Sequence, residues 1–360
     1  MGGSCGTKPG MDVITEFPVA AAIACAAVSA LATLVLRARL VAAAVMDPGT
    51  QRGMHTGRVP RGGGGAFVAV AMGSLVAVRP EVPCTDAAAI ALVVSAIAVA
   101  AVGAIDDVRG LPALPRLAVH LAAGAAVAYA CFAGSAAPWS GATAAGFAAA
   151  IAIASAWSIN LNNFMDGIDG ICTAHGALVI GATGAFAWHH GDTGLAFACA
   201  VLAGSIAGFL PLNVSRTFRI FMGDVGSGFL GFAMAATLAL AWKSGAISVW
   251  SALLIPSVFV TDATVALVRR ASRGESLANA HCTHAFQHLA KRVGRHGPVT
   301  AIYAVVTAGW ALPAAIAAAV WPNYAVWILG VAYAPLIAGA ILLRAGVPDQ
   351  VNTLTRGIPR

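Results

Sequence analysis

The chain has 360 residues, 59% of them hydrophobic and 10% charged, with a net charge of +7. Soluble domains carry about 45–50% apolar and roughly 25% charged residues. So few polar side chains cannot cover a water-facing surface, and one bundle of membrane helices is expected instead of two soluble domains. The basic excess lies between apolar runs, so membrane topology accounts for it and no nucleic-acid partner is expected. Seven scattered cysteines without a CxxC pair read as buried free thiols.

Eleven apolar stretches follow one another along the chain, at about 13–36, 63–79, 87–104, 114–132, 144–160, 171–188, 194–212, 228–242, 246–268, 299–321 and 323–343. The first can cross a ~30 Å hydrocarbon core and is longer than the core of a signal peptide. The expected fold is all-α and integral to a membrane, a single domain of ten to eleven transmembrane helices. Five loops on one side of the bundle are expected at 37–62, 105–116, 160–170, 212–227 and 269–298. Abundant Gly, Ala and Ser suit close helix packing in lipid. No sequence repeat is visible.

Lys and Arg set the orientation. Eighteen of the 21 basic residues fall in these loops and the C-terminal tail, whereas Lys8, Arg79 and Lys243 fall on the other side. The loops and C-terminus are therefore expected in the cytoplasm and the N-terminus outside. Asp106, Asp107, Asp166, Asp169 and Asp224 all lie at stretch ends on that same side. A carboxylate near lipid is costly and needs a partner or a function.

Five segments on this side carry chemistry. Arg52-Gly-Met-His55-Thr-Gly-Arg58-Val-Pro60-Arg61, followed by four glycines, is basic and leads into the second stretch; it reads equally as a phosphate clamp or as positive-inside topology. Asp106 and Asp107 are adjacent carboxylates, which stay ionised together only beside a cation or strong donors. Asn160, Asn163, Asp166 and Asp169 recur at every third residue, with Gly167 and Gly170 breaking the helix. A helix cap needs one such residue, not four, and this edge of amides and carboxylates suits a nucleobase and ribose. Phe221-Met-Gly-Asp224-Val-Gly-Ser227-Gly opens the eighth stretch. Backbone N–H groups at a Gly-rich helix start favour phosphate, and a neighbouring acid suits Mg²⁺ carried on pyrophosphate. In His281-Cys-Thr-His284-Ala-Phe-Gln287-His288, two histidines four apart admit zinc, but no Cys or acid completes a ligand set. Phosphate binding with Lys291 and Arg292 is the stronger reading.

Together these motifs resemble the polyprenyl-phosphate N-acetylhexosamine-1-phosphate transferases, the MraY/WecA group of glycosyltransferase family 4, from about Arg52 to Arg295. The resemblance rests on the aspartate pair 106–107, the Asn160–Asp169 segment, Met222 to Ser227, and the Arg52/His55/Pro60–Gly64 element. The histidine loop resembles the branch that starts O-antigen or related surface glycans more than the branch making the first peptidoglycan lipid. The resemblance implies transfer of N-acetylhexosamine 1-phosphate from a UDP-sugar to undecaprenyl phosphate, releasing UMP, with Mg²⁺ or Mn²⁺ as cofactor. It implies a multi-pass protein of the bacterial inner membrane, in contact with lipid, with a homodimer as one expected assembly.

The same resemblance implies residue roles. Asp224, with Asp107, would hold the metal. Asp106 would be the catalytic base towards the lipid phosphate, Asp107 its catalytic neighbour, and a covalent phosphoryl-aspartate is the competing route. Asn160, Asn163, Asp166, Asp169 and Phe221 would take the nucleotide, with His281 and His284 on sugar or phosphate. Arg61, Arg116 and Arg292 would take phosphate. The chain departs from the family pattern at Cys282, where Arg is usual, at His120, where Gln is frequent, and between Asn213 and Asp224, which is one residue longer. An ion-coupled transporter is the reading from another class; its acids would lie near the bilayer midplane on broken helices.

Overall fold

The computed structural model describes residues 17–47, 59–134, 141–275 and 282–348. Helix α1 spans Pro18–Ala42. Strands β1 (Met46–Asp47) and β2 (Val59–Pro60) pair antiparallel and lead into α2, Gly64–Val78. Four long helices follow: α3 (Asp86–Arg109), α4 (Ala113–Phe132), α5 (Ala142–Met165) and α6 (Ile171–His190). Next come α7 (Thr193–Asn213) and α8 (Gly223–Lys243). The short α9 (Val249–Leu254) precedes α10 (Ser257–Ala271). An amphipathic helix α11 (Ala285–Val293) lies before α12 (His296–Val320), which contains a π-helical turn at Thr307–Ala311. Helix α13 is Ala325–Leu342.

Among the described residues, nine helices are long and apolar enough to cross a membrane, and the protein is an all-α, multi-pass membrane protein. The expected stretch 63–79 forms the shorter α2. The stretch 246–268 is divided at Ile255–Pro256, where a proline lacks the N–H that would continue the helix. Two helices run past their apolar stretches. Helix α3 continues through Asp106 and Asp107 to Arg109, and α5 continues through Asn160 and Asn163 to Met165. Their polar groups thus stand on rigid last turns instead of in loops.

Small residues set how closely the helices approach. Side-chain atoms on Gly204 and Gly208 of α7 would collide with the backbone of Ala22 and Ala26 on α1. Beside this seam the Ser29 hydroxyl donates to the Ser205 carbonyl at 2.6 Å. Gly231 of α8 meets the backbone of Ser158 and Ile159 on α5 in the same way, and the Ser158 hydroxyl donates to the Gly231 carbonyl at 2.8 Å. Such contacts replace the hydrophobic drive that lipid does not provide. Helix α8 is the central, most buried helix; α1 and α13 turn most of their surface outward.

At one end of the bundle the chain after α13 folds back. The Gly346 N–H donates to the Thr283 carbonyl, the Arg269 guanidinium donates to the Ala345 carbonyl at 3.1 Å, and His288 Nε2 pairs with the Val347 carbonyl at 3.0 Å. This turn holds the segment before α11 against α10.

Candidate active site

The last turn of α3, the first turn of α8 and the strand before α2 meet at one end of the bundle. Asp107 accepts the backbone N–H of Asp224 at 2.9 Å through Oδ1 and that of Val225 at 3.2 Å through Oδ2. It thereby caps α8 from a different helix, placing negative charge at the positive end of the α8 dipole. The approach requires glycine. A Cβ on Gly223, whose φ is +74°, would lie 3.0 Å from the Asp107 carboxyl carbon, and one on Gly103 would lie 2.6 Å from the Val225 nitrogen.

The glycines after Arg61 act likewise. Gly63 and Gly64 donate their N–H groups to the Phe221 and Met222 carbonyls at 2.9 Å each, and Phe221 donates to Pro60 at 2.8 Å. A Cβ on Gly64 would lie 2.8 Å from the Gly226 nitrogen. This seam carries Arg61 over the acids: its Nε is 2.8 Å from Asp107 Oδ1 and its Nη2 is 3.0 Å from Asp224 Oδ1. Asp47 stands 3.9 Å from Nη1. Burial works against the Arg61 charge, but Asp107, Asp224, Asp47 and Asp166 outweigh it and raise its pKa.

Arg116, in the first turn of α4, pairs with Asp106 Oδ2 and lies 3.5 Å from Asp224 Oδ2. Its Nε is buried with no hydrogen-bond partner. The Leu111 N–H also donates to Asp106 Oδ1. Arg116 Nη1 thus brings the carboxylates of Asp106 and Asp224 to one point. Two carboxylates that close need a proton or a cation between them. Among the described residues no group of three or more His, Cys, Asp and Glu encloses a metal on its own. Mg²⁺ needs no such cage, because one or two carboxylates plus substrate phosphate oxygens hold it.

The Asn-rich segment divides between two environments. Asn163 Oδ1 accepts the Ser227 hydroxyl at 2.7 Å, joining α5 to the start of α8. Asn160 donates to the Ala156 carbonyl one turn back at 2.8 Å and meets His120 of α4. Asp166 follows the end of α5 beside the acid cluster. Burial pushes its carboxyl up to about 7, against the pull of Arg61 and with the repulsion of Asp107 and Asp169. Asp169 joins a different network. Its Oδ2 lies 3.2 Å from His296 Nδ1 and 3.4 Å from Arg219 Nη2, and its carbonyl accepts the Thr300 hydroxyl at 2.7 Å. Asn213 extends this network by accepting the Gly170 N–H at 2.9 Å and donating to the Ile220 carbonyl at 3.0 Å.

The structure therefore gathers Asp106, Asp107, Asp224, Arg61 and Arg116, with Asn163 and Asp166 beside them and the half-buried Phe221 on the Arg61 seam. Asp107, expected as a metal ligand, accepts a backbone N–H at each of its oxygens. His284 is buried, and Arg292 is exposed on α11. Arg52, His55, Arg58 and His281 lie outside the described residues. Sequence reasoning named Asn213 only as the start of the lengthened segment and did not single out Asp262, for which an acid inside the apolar stretch 246–268 was the available signal.

Residues 89–243, which include every acid of the cluster except Asp47, match the sequence model described as Glycosyl transferase family 4. The match covers this central segment, less than half of the chain. The chain is 32% identical over 142 residues to the Escherichia coli K12 protein named undecaprenyl-phosphate alpha-N-acetylglucosaminyl 1-phosphate transferase, covering 38% of each chain. A Geobacillus thermodenitrificans protein named phospho-N-acetylmuramoyl-pentapeptide-transferase is 31% identical over 151 residues, covering 42% of this chain and 40% of the relative. A Yersinia pestis protein with the first name is 30% identical over 154 residues. The chain thus spans about two fifths of the length of the curated relatives it matches. Arg61, Asp262 and the histidine loop lie outside the family match.

Proposed function

We propose that this protein transfers a sugar 1-phosphate from a UDP-sugar to a polyprenyl phosphate at the membrane surface. The observation that carries this reading is the meeting of Asp106, Asp107 and Asp224 with Arg61 and Arg116 at one end of a membrane bundle. Both reactants are polyanions, so a lipid-side site needs fixed cations. The two names these relatives carry describe phospho-sugar transferases, which supports the same class. An ion-coupled transporter fits less well, because these acids stand at helix ends instead of at a midplane break.

Arg61 and Arg116 would bind phosphate oxygens of donor and acceptor. Asp106, beside Arg116, would accept the proton of the lipid phosphate. An acceptor oxygen then attacks the β-phosphorus of the donor, the bond from that phosphorus to the α-phosphate bridging oxygen breaks, and UMP leaves. Asp224 would hold Mg²⁺, or Mn²⁺, together with substrate oxygens. When bound, the ion neutralises charge that builds on the phosphates. Asp107 would orient Asp224 through the α8 backbone. Asn160, Asn163, Asp166 and Phe221 would take the nucleoside, and His281, His284 and Arg292 the sugar or its phosphate. Asp169 would support that edge from behind, through His296 and Arg219.

The donor we favour is a UDP-N-acetylhexosamine and the acceptor undecaprenyl phosphate, in the assembly of an O-antigen or other surface glycan. The support is the histidine loop. By the positive-inside rule, the acid-bearing end would face the cytoplasm of a bacterial inner membrane. The test is UMP release by purified protein given undecaprenyl phosphate and a panel of UDP-sugars with Mg²⁺. Release that depends on lipid, metal and Asp224, and disappears in Asp224→Asn, is expected. Full turnover in Asp224→Asn would sink the metal assignment, and activity with only the muramoyl-pentapeptide donor would move the protein to the peptidoglycan branch.

A further inference from the structure

Helix α10 carries one carboxylate that the site described above does not use. Asp262 is 2% exposed, and every strong donor around it comes from another element. Its Oδ1 accepts the Ala285 N–H at 2.8 Å, and its Oδ2 accepts the Phe286 N–H at 3.0 Å. The Tyr303 hydroxyl of α12 donates to Oδ2 at 2.6 Å. His284 Nδ1 lies 3.5 Å from Oδ1. A buried carboxylate is costly unless such donors surround it. Here they also fix where α11 begins, because its first two N–H groups point at one anion from a neighbouring helix.

The contacts continue towards the acid cluster. Phe286 stacks on His284 with ring centroids 5.6 Å apart and meets Tyr303 edge-on at 6.4 Å. Phe286 and Gln287 reach the turn after Asp166: a Cβ on Gly167 would lie 3.0 Å from Phe286 Cζ and 3.1 Å from Gln287 Nε2. Gln287 in turn accepts the His284 N–H at 3.1 Å. The histidine loop is thus pressed onto the Asp166 turn from one side and anchored by Asp262 from the other.

We propose that Asp262 is a positioning residue for the transfer reaction: it anchors the start of α11 and orients the His284 ring, presenting His284, Phe286 and Gln287 to the Asp166 turn. Asp262 Oδ1, 3.5 Å from Nδ1, faces the His284 ring on that side. The catalytic half of this inference rests on the transferase reading; the anchoring half does not.

Cys282, two residues before His284, is a partly exposed thiol that reports on the loop, and Cys84, at the far end of the bundle, is partly exposed and serves as a control. The full-length protein in lipid nanodiscs is treated with N-ethylmaleimide, and each cysteine peptide is followed by mass spectrometry. Asp262→Asn should speed labelling of Cys282 by about threefold or more, as expected for a local opening, with Cys84 unchanged. Unchanged Cys282 labelling overturns the anchor. Where Asp262→Asn does not accumulate, Tyr303→Phe, which removes one hydrogen bond, decides: faster Cys282 labelling supports the anchor and a wild-type rate overturns it. In the UMP-release assay, Asp262→Asn should lower kcat and leave KM for undecaprenyl phosphate unchanged. Its effect should overlap with that of His284→Ala in the double variant, since both remove one oriented imidazole. Effects that multiply would show a merely structural role. Should the wild type release no UMP, the transferase reading fails while the labelling still decides the anchor.

Discussion

Asp107 and Asp224 stand on different helices, yet the carboxylate of the first accepts the backbone N–H of the second at 2.9 Å. The end of α3 therefore sets where α8 begins, and the side chain of Asp224 leaves the backbone at a point that Asp107 fixes. Arg61 closes the arrangement by touching both carboxylates.

Loss of this cap should appear first in stability. Asp107→Ala removes both acceptors, a change that costs about 0.5–2 kcal/mol at ordinary helix caps, and it also strands part of the Arg61 charge. Asp107→Asn keeps one acceptor and should fall between. The melting temperature in detergent should rank wild type above Asn above Ala; equal values for all three would show that α8 needs no external cap.

Arg61 spans two carboxylates with a planar fork, which an ammonium cannot reproduce. Arg61→Lys should keep the charge and still lower kcat for UMP release by on the order of 10²-fold, the scale of losing one oriented charge stabiliser. Wild-type turnover in the Lys variant would mean that only net charge matters there.

Asp166 ties stability to pH. Burial raises its folded-state value to about 7 from an ordinary 3.8, so the folded protein binds this proton more tightly than the unfolded chain. The stabilisation is complete below about pH 4 and is lost as pH rises through 7. In metal-free buffer, the melting temperature of the wild type should fall between pH 5 and pH 8.5 relative to Asp166→Asn. Parallel curves would remove Asp166 as the titrating group.

The glycine seam supplies a steric test with its own control. Gly64→Ala places a methyl 2.8 Å from the Gly226 nitrogen, whereas a methyl on Gly73 of the same helix meets nothing within 4 Å. Gly64→Ala should lower both melting temperature and activity. Gly73→Ala should be neutral or slightly stabilising, since alanine favours helices by up to about 1 kcal/mol over glycine. Similar behaviour of the two would mean that the seam is not close-packed.

The parts of this architecture legible in sequence are those written in charge and hydropathy. Asp106, Asp107 and Asp224 stood out because each is an acid at the edge of an apolar run, and the alternation of Arg-rich and Arg-poor loops placed them on one side. Helix ends were less legible. Hydropathy stops near Ala104 and Asn160, but the backbone hydrogen bonds continue to Arg109 and Met165. Arg61 carried no sign of its partners, because its position depends on backbone pairing of Gly63 and Gly64 with Phe221 and Met222. Asp169 shared the spacing of Asp166, but the left-handed Gly170 turns the chain so that Asp169 faces His296 and Arg219. Asp262 was marked as an acid within an apolar stretch, but its partners Ala285, Phe286 and Tyr303 lie on later elements that the stretch does not name.

The turn after α13 ties the last membrane helix to the histidine loop. Gly346 grips Thr283 and Val347 grips His288, so the last membrane helix and the histidine loop are mechanically continuous. A helix longer than the local hydrocarbon tilts to fit it, and a tilt of α13 would act on the segment before α11 through this turn. Short-chain and long-chain phospholipids would thus set different resting positions for His284, a reach from the lipid to the histidine loop that runs through backbone contacts.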